Sequence, residues 1–368
     1  MPTKVDFGPG RIKDLCEEVV NNGFKKAVFV VTAGRKQSGM LDAPITSLAG
    51  SGVEVNVYDG VKENPDIQSV KNCVGFLKQS RPHVIIGLGG GSTLDTAKAA
   101  GICYSNGSED LMELVQQNKM VSKAPPTILV PTTSGSGTEV NFWAVVTNKK
   151  TKQKISVGNP LVSPFMALID PLLTVSVPPL VTLMTGMDAL THAVESYLSQ
   201  QSSRFSELLS YGAVSLIVES LEEAVEEGSS ITARCNMSLG SFMAGAAMEN
   251  AGLGLIHAMS HQVSGFYNTA HGLVNAFLLP HVLGYNRPLC RHKMNRLDNL
   301  VGTGNDMVEW AERLIEKYNL KNRMIGIRGK DLKTMCSRAI DNVNARTNPR
   351  QPQPEDVQKL YKSCFNVT

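Results

Sequence analysis

The feature that most constrains the fold is a first half in which short β-branched runs alternate with helical ones. Residues 27–32, 53–58, 84–88 and 127–130 read as strands, and 12–22, 67–80 and 93–104 as helices between them. Strands and helices alternating at this spacing build a parallel sheet with helices on its faces. The near-continuous apolar character of the strands agrees, because such a sheet is buried on both sides. Residues 145–147 and 155–157 flank a lysine-rich tip, Asn148-Lys-Lys-Thr-Lys-Gln-Lys154, as a hairpin, and 166–170 is a last strand ended by Pro171. From Thr182 onward helical periodicity takes over, as in 206–228, 231–248 and 307–318. Pro171, Pro178 and Pro179 cluster at the change of texture. A chain of 368 residues is too long for one small core. The expectation is an α/β domain over 1–175 and an all-helical domain over 176–368.

Composition narrows the function mainly by exclusion. A net charge of +3 with no dense Lys/Arg stripe gives nucleic-acid binding no support. The seven cysteines are odd in number and scattered, which suits reduced thiols in the cytoplasm better than a disulfide framework. No apolar run approaches the length of a membrane span, and the opening Met1-Pro-Thr-Lys-Val-Asp-Phe7 has no signal-peptide character. A cytoplasmic protein without membrane partners is expected.

Six of the seven histidines lie between Asp188 and residue 292. Asp188 and His192 stand four apart and share a helix face, and His257 and His261 repeat that spacing on a second apolar segment. His271 follows in Asn268-Thr-Ala-His-Gly272, which reads as the turn opening the next helix. One carboxylate with several imidazoles suits a divalent transition metal such as iron or zinc. The same spacing also serves a hydrogen-bonded surface pair. Burying several imidazoles beside a carboxylate, however, calls for a compensating partner.

Two small-residue loops point to a second ligand. Gly87-Leu-Gly-Gly-Gly-Ser-Thr-Leu-Asp-Thr-Ala-Lys98 follows a strand and opens a helix, and free N–H groups at such a helix start form an anion site. It departs from the usual dinucleotide fingerprint, with Ser92 at the sixth position, and a tight strand–helix turn would use the same residues. Pro131-Thr-Thr-Ser-Gly-Ser-Gly-Thr-Glu139 follows the next strand. Both loops therefore fall at the carboxyl edge of the sheet, where ligands of open α/β folds bind.

These segments resemble the iron-containing (group III) alcohol dehydrogenases. The resemblance rests on Gly89–Lys98, Pro131–Glu139, Gly186-Met-Asp-Ala-Leu-Thr-His-Ala-Val-Glu195, Gly254-Leu-Ile-His-Ala-Met-Ser-His261, Phe266-Tyr-Asn-Thr-Ala-His-Gly272 and Leu279-Pro-His-Val282, and it covers essentially the whole chain. It implies a Rossmann-like NAD(P)-binding domain followed by an all-α metal-binding domain, the dehydroquinate synthase-like architecture, with the active site in the cleft between them. It further implies that Asp188, His192, His257 and His271 ligate the metal and that His261 handles protons nearby. Gly90, Gly91 and Ser92 match pyrophosphate contacts. Asp95, Thr132, Thr133 and Lys154 match positions around the ribose and nicotinamide, Asn64 a further cofactor loop, and Leu173 an adenosine-side contact. A homodimer or higher homo-oligomer is the implied assembly.

The implied chemistry is reversible hydride transfer between a small primary alcohol and NAD(P), with a divalent metal, Fe2+ or Zn2+, polarising the substrate oxygen. Three departures from the family pattern bear on specificity. Ala33, in Thr32-Ala-Gly-Arg-Lys36, replaces an acid that would favour NAD(H), so NADP(H) stays open. Met248 and Glu249 stand where a Phe-containing wall is usual, and Gln262 and Ala270 replace common prolines. Reduction of a small anionic aldehyde, of sulfonated or phosphonated acetaldehyde type, is an alternative, with Asn141, Trp143 and Gln262 as polar candidates. Glycerol or diol dehydrogenase is another. A non-catalytic binding protein is the reading from a different class, and the complete set of ligands and loops speaks against it.

Overall fold

The computed structural model describes residues 3–116, 121–302, 304 and 306–368. The chain divides into two compact units, Met1–Val177 with Ser229–Ser238, and Pro178–Gly228 with Leu239–Thr368. In the first unit, β1 (Lys4–Phe7), β2 (Lys26–Val30), β3 (Glu54–Tyr58), β4 (Val84–Gly89) and β5 (Thr127–Pro131) precede a hairpin of β6 (Trp143–Asn148) and β7 (Gln153–Gly158). β8 (Met166–Ile169) then returns to the sheet. The six-stranded sheet runs β1-β8-β5-β4-β2-β3, with every pairing parallel.

The apolar strand runs dictate this arrangement. Every residue of β4 is buried, and Ile86 stands opposite both Phe29 of β2 and Ile128 of β5. Successive strand side chains point to opposite faces, so Val28, Val30, Ile85 and Leu129 feed one core cluster while Ala27, Phe29, Ile86 and Ile128 feed the other. Helices α1 (Leu15–Asn21), α2 (Ala33–Gln37), α3 (Asp42–Gly50), α4 (Ile67–Ser80), α5 (Gly91–Ser105) and α6 (Leu111–Gln116) connect the strands. Asp66 caps α4 by accepting from Ser69 N at 2.7 Å. The expected helix at 12–22 begins as a 3-10 turn over Arg11–Asp14 and becomes α-helical only at Leu15. β1, α2, α3 and α6 lie outside the expected elements. β1 has four residues, none fully buried, and α2 has five, too few for a periodic pattern to register.

The second unit is built on α7 (Pro179–Leu198), α8 (Arg204–Glu226), α9 (Ile231–Ala251), α10 (Leu255–Tyr267), α11 (His271–Asn286), α12 (Arg291–Asp298), α13 (Met307–Lys317), α14 (Gly329–Asp341) and α15 (Pro354–Cys364). Residues 229–238, at the start of α9, belong with the first unit. Pro179 opens α7 at a position where its missing N–H costs nothing. Every residue of α7 from Gly186 to Leu198 is buried, so this helix is central and even its polar side chains must find partners. One exception to the all-helical expectation is a two-residue parallel pairing of Gly326–Ile327 with Asn366–Val367.

Candidate active site

Three helices of the second unit converge on one point. Asp188 Oδ1 on α7 lies 4.0 Å from Nε2 of His192, 3.9 Å from Nε2 of His257 on α10, and 3.7 Å from Nε2 of His271 at the start of α11. Donors about 2.0–2.2 Å from one tetrahedral ion stand roughly 3.3–3.6 Å apart, so these separations are slightly wider than a loaded site requires. Asp188, His192 and His257 form the tightest group, with ligand atoms all within 4.8 Å of one another. His271 stands at its edge, reaching Asp188 with a side chain 25% exposed while His257 is 1% exposed. The His192 and His257 rings stack at 4.5 Å between centroids. His261, one turn beyond His257, sits 5.3 Å from the His271 ring and is buried.

Close packing brings the helices this near. A Cβ on Gly272 would fall 2.0 Å from the Met184 carbonyl oxygen, so only glycine lets the start of α11 lie against α7. At Gly254 a Cβ would fall 2.7 Å from Glu195 Oε1, and its absence makes the seat for that carboxylate.

Glu195 is the functional group that sequence reasoning missed. It is buried on α7, and its Oε2 lies 2.6 Å from Nδ1 of His257. The same carboxylate accepts from the backbone N–H groups of Gly254 at 2.9 Å and Ile256 at 2.6 Å, closing the N-terminus of α10. Burial pushes the Glu195 carboxyl up to about 7 against the pull of those N–H groups. Burial, and then the neighbouring His192, hold His257 well below its ordinary range. A neutral His257 that donates from Nδ1 to Glu195 keeps its Nε2 lone pair turned to Asp188. The available signal was spacing, since Glu195 stands three residues after His192 on the same helix.

Asn275 was also missed. It lies four residues after His271 on α11, is 0% exposed, and donates from Nδ2 to Asp188 Oδ1 at 2.7 Å. The same nitrogen is 3.3 Å from Nε2 of both His257 and His271. Its Oδ1 is buried and meets no donor among the described residues. The amide nitrogen thus lies against the same carboxylate and imidazole atoms that would ligate a cation.

The first unit carries the remaining expected residues. Gly90 is the N-cap of α5 and offers no side-chain cap, so the first N–H groups of the helix, those of Gly91 and Ser92, have no capping side chain. Thr132 N donates to Gly89 O at 2.9 Å, bringing the two small-residue loops side by side. The Thr132 hydroxyl is buried and meets no partner among the described residues. Asp95 uses both oxygens, accepting from Thr138 Oγ1 at 2.6 Å and from Val145 N at 3.1 Å. Lys154 Nζ donates to Asn64 Oδ1 at 2.9 Å, joining two expected cofactor residues 90 positions apart. Thr133 follows in the same loop, whereas Leu173 packs into the apolar cluster on one sheet face. Asn141 is buried and its amide donates to Gly137 O at 2.9 Å, within its own loop.

Lys98 organises that loop. Fully buried, its ammonium donates to Thr138 O at 2.6 Å, Asn141 O at 3.1 Å and the Trp143 carbonyl. Nearby Glu139 is buried, and burial pushes its carboxyl up to about 7.

Family models match almost the whole chain. Residues 2–171 match the family described as iron-containing alcohol dehydrogenase, and 182–365 match its C-terminal part. The chain belongs to the iron-containing alcohol dehydrogenase family. It is 34% identical to a 1,3-propanediol dehydrogenase of Klebsiella pneumoniae over 373 residues, covering 98% of this chain and 96% of that one. An NAD-dependent methanol dehydrogenase of Bacillus methanolicus is 31% identical over 378 residues, 99% of each chain. Among solved structures, an alcohol dehydrogenase from Oenococcus oeni superposes with a TM-score of 0.89 at 33% identity, covering 99% of each chain. The protein is accordingly an oxidoreductase of the alcohol dehydrogenase or aldehyde reductase type.

Proposed function

We propose that this alcohol dehydrogenase interconverts a small primary alcohol and its aldehyde with NAD(H), its divalent metal held by Asp188, His192, His257 and His271. The observation that carries the reading is the meeting of Asp188 Oδ1 with three Nε2 atoms at 3.7–4.0 Å, one of them oriented by Glu195. When bound, a divalent metal supplies Lewis acidity that favours loss of an alcohol proton and polarises an aldehyde carbonyl. The chain's own groups do the rest. Asp188 and Glu195 supply negative charge, His257 is held as a neutral donor, and His261, one turn beyond His257, is assigned the proton transfer. The uncapped start of α5 at Gly90, Gly91 and Ser92 suits the cofactor pyrophosphate, and the Thr132 hydroxyl suits its carboxamide. Asp95, Thr133, Lys154, Asn64 and Leu173 complete the proposed cofactor contacts. The first unit is thus read as the cofactor domain and the second as the metal domain.

An iron centre follows the family, and zinc fits the same donors. NAD(H) is favoured by the NAD-dependent relative of Bacillus methanolicus. NADP(H) is a second reading, favoured by one observation at the end of β2. Lys36 there is engaged with Asp59 at 2.7 Å, while Arg35, half-buried beside Ala33, has no carboxylate partner among the described residues. No helix among the described residues is long and apolar enough to cross a membrane, and all seven cysteines are free thiols, which supports a cytoplasmic enzyme. Phe205 and Leu208, exposed and three apart on α8, support a homo-oligomer. Cofactor oxidation with short neutral and anionic aldehydes, using NADH and NADPH, before and after chelation and reloading with iron or zinc, tests the proposal. Turnover restored by metal is the expected result. No turnover with any aldehyde in any metal state would overturn it.

A further inference from the structure

The half-satisfied amide of Asn275 stands out among the buried polar groups. A core asparagine retained for packing or structure normally has partners at both ends. Here Nδ2 faces three acceptors, Asp188 Oδ1 at 2.7 Å and Nε2 of His257 and His271 at 3.3 Å each, while Oδ1 meets no donor among the described residues. The reverse orientation would set Oδ1 against the Asp188 carboxylate at the same short distance, acceptor to acceptor. The amide is therefore fixed by what its nitrogen holds. An NH2 group has two hydrogens, so it serves Asp188 and one imidazole at a time. His257, donating from Nδ1 to Glu195, offers exactly the Nε2 lone pair that such a donor needs. A hydrogen-bonded chain thus runs from Glu195 through His257 and Asn275 to Asp188.

We propose that Asn275 is a positioning residue of the metal centre. Its amide keeps Asp188 Oδ1 and the Nε2 lone pairs of His257 and His271 gathered on one point, so that donors from α7, α10 and α11 are assembled in advance of the cation. The proposal rests on the metal reading of the site given above. It also explains why a fully buried position holds an amide with one end unpaired, since the nitrogen end serves the buried Asp188 carboxylate, which an apolar side chain would leave without that donor.

The test compares Asn275→Leu and Asn275→Ala with the wild type by two measurements. The first is the zinc or cobalt dissociation constant, by competition with a chromophoric chelator. The second is the melting temperature of the metal-stripped protein. Partners of this kind typically contribute roughly 10–100-fold to metal affinity. The expected result for Asn275→Leu is a dissociation constant raised by about that factor in a folded protein, with a melting temperature lowered only as far as the lost donor to Asp188 requires. Asn275→Ala should weaken binding similarly and lower the melting temperature through its cavity. Wild-type affinity in a folded Asn275→Leu protein would overturn the proposal, as would a fallen melting temperature with unchanged affinity. Should both variants misfold, long-range proton–nitrogen NMR of the metal-stripped wild type decides. His257 protonated on Nδ1 with an accepting Nε2 supports the chain, and the opposite tautomer overturns it. A wild type that binds no metal would sink the metal reading itself, a separate outcome.

Discussion

Glu195→Gln is the substitution from which the account of the site derives most. Glu195 Oε1 accepts from Ile256 N at 2.6 Å, while Oε2 accepts from Gly254 N at 2.9 Å and faces His257 Nδ1 at 2.6 Å. Glutamine keeps the shape but has one oxygen. With that oxygen in the Oε2 place, the Gly254 and His257 bonds survive and the new NH2 opposes the Ile256 N–H, donor to donor. The opposite choice saves Ile256 but turns an NH2 on Gly254 N–H and forces His257 onto its other tautomer, which takes the lone pair away from Asp188. The first choice is therefore favoured, at about 1–3 kcal/mol for the opposed donor. It also removes the charge that makes His257 basic, and metal affinity should fall roughly 10–100-fold, or about 1.4–2.7 kcal/mol. Chelator competition on the purified variant, with circular dichroism as the folding check, reads this directly. A folded Glu195→Gln protein with wild-type affinity would refute the role given to Glu195.

Three other outcomes follow from the structure. The Glu139 carboxyl is raised to about 7 by burial in the folded chain, from an ordinary 4.5. It therefore contributes stability that is fully present below about pH 4.5 and lost as pH rises to about 7, up to about 3 kcal/mol. Urea unfolding at acid and at mildly alkaline pH should show a smaller loss for Glu139→Gln than for the wild type, and equal losses would contradict this. Gly272→Ala drives a Cβ to 2.0 Å from a backbone oxygen that cannot swing away, so the melting temperature should fall by the equivalent of on the order of 3 kcal/mol and metal retention should drop. An unperturbed variant would mean that α7 and α11 are not so close. Lys98→Met strips several buried carbonyls of their shared donor and should destabilise the protein by about 3–5 kcal/mol, with a raised KM for the cofactor. An unchanged KM in a folded variant would remove Lys98 from the cofactor loop.

Much of this architecture was legible in the residues. The strands at 84–89 and 127–131 announce themselves because a sheet covered on both faces needs continuous apolar runs. β1 does not, because its four residues are half-exposed and its place in the sheet is decided by β8, some 160 residues later. The same contrast holds in the site. Asp188/His192 and His257/His261 share helix faces at a spacing of four, which a sequence displays. Asp188 meets His257 and His271 across helix contacts that Gly254 and Gly272 keep close, and no local pattern states that. Asn275 carries the same four-residue spacing after His271, but an asparagine is a less telling residue type than a histidine. Glu195 lies in the same helix motif, but its partners, Gly254, Ile256 and His257, lie about sixty residues away and no local pattern discloses them.

The central claim is that Asp188, His192, His257 and His271 hold one divalent metal. X-ray absorption at the metal edge of the zinc- or iron-loaded protein measures that donor set directly. The account predicts a first shell of nitrogen and oxygen only, at about 2.0–2.2 Å, with the outer-ring scattering of three imidazoles, lost in step with metal content on His257→Ala. A sulfur shell near 2.3 Å, or an unchanged spectrum and metal content in that variant, would contradict it.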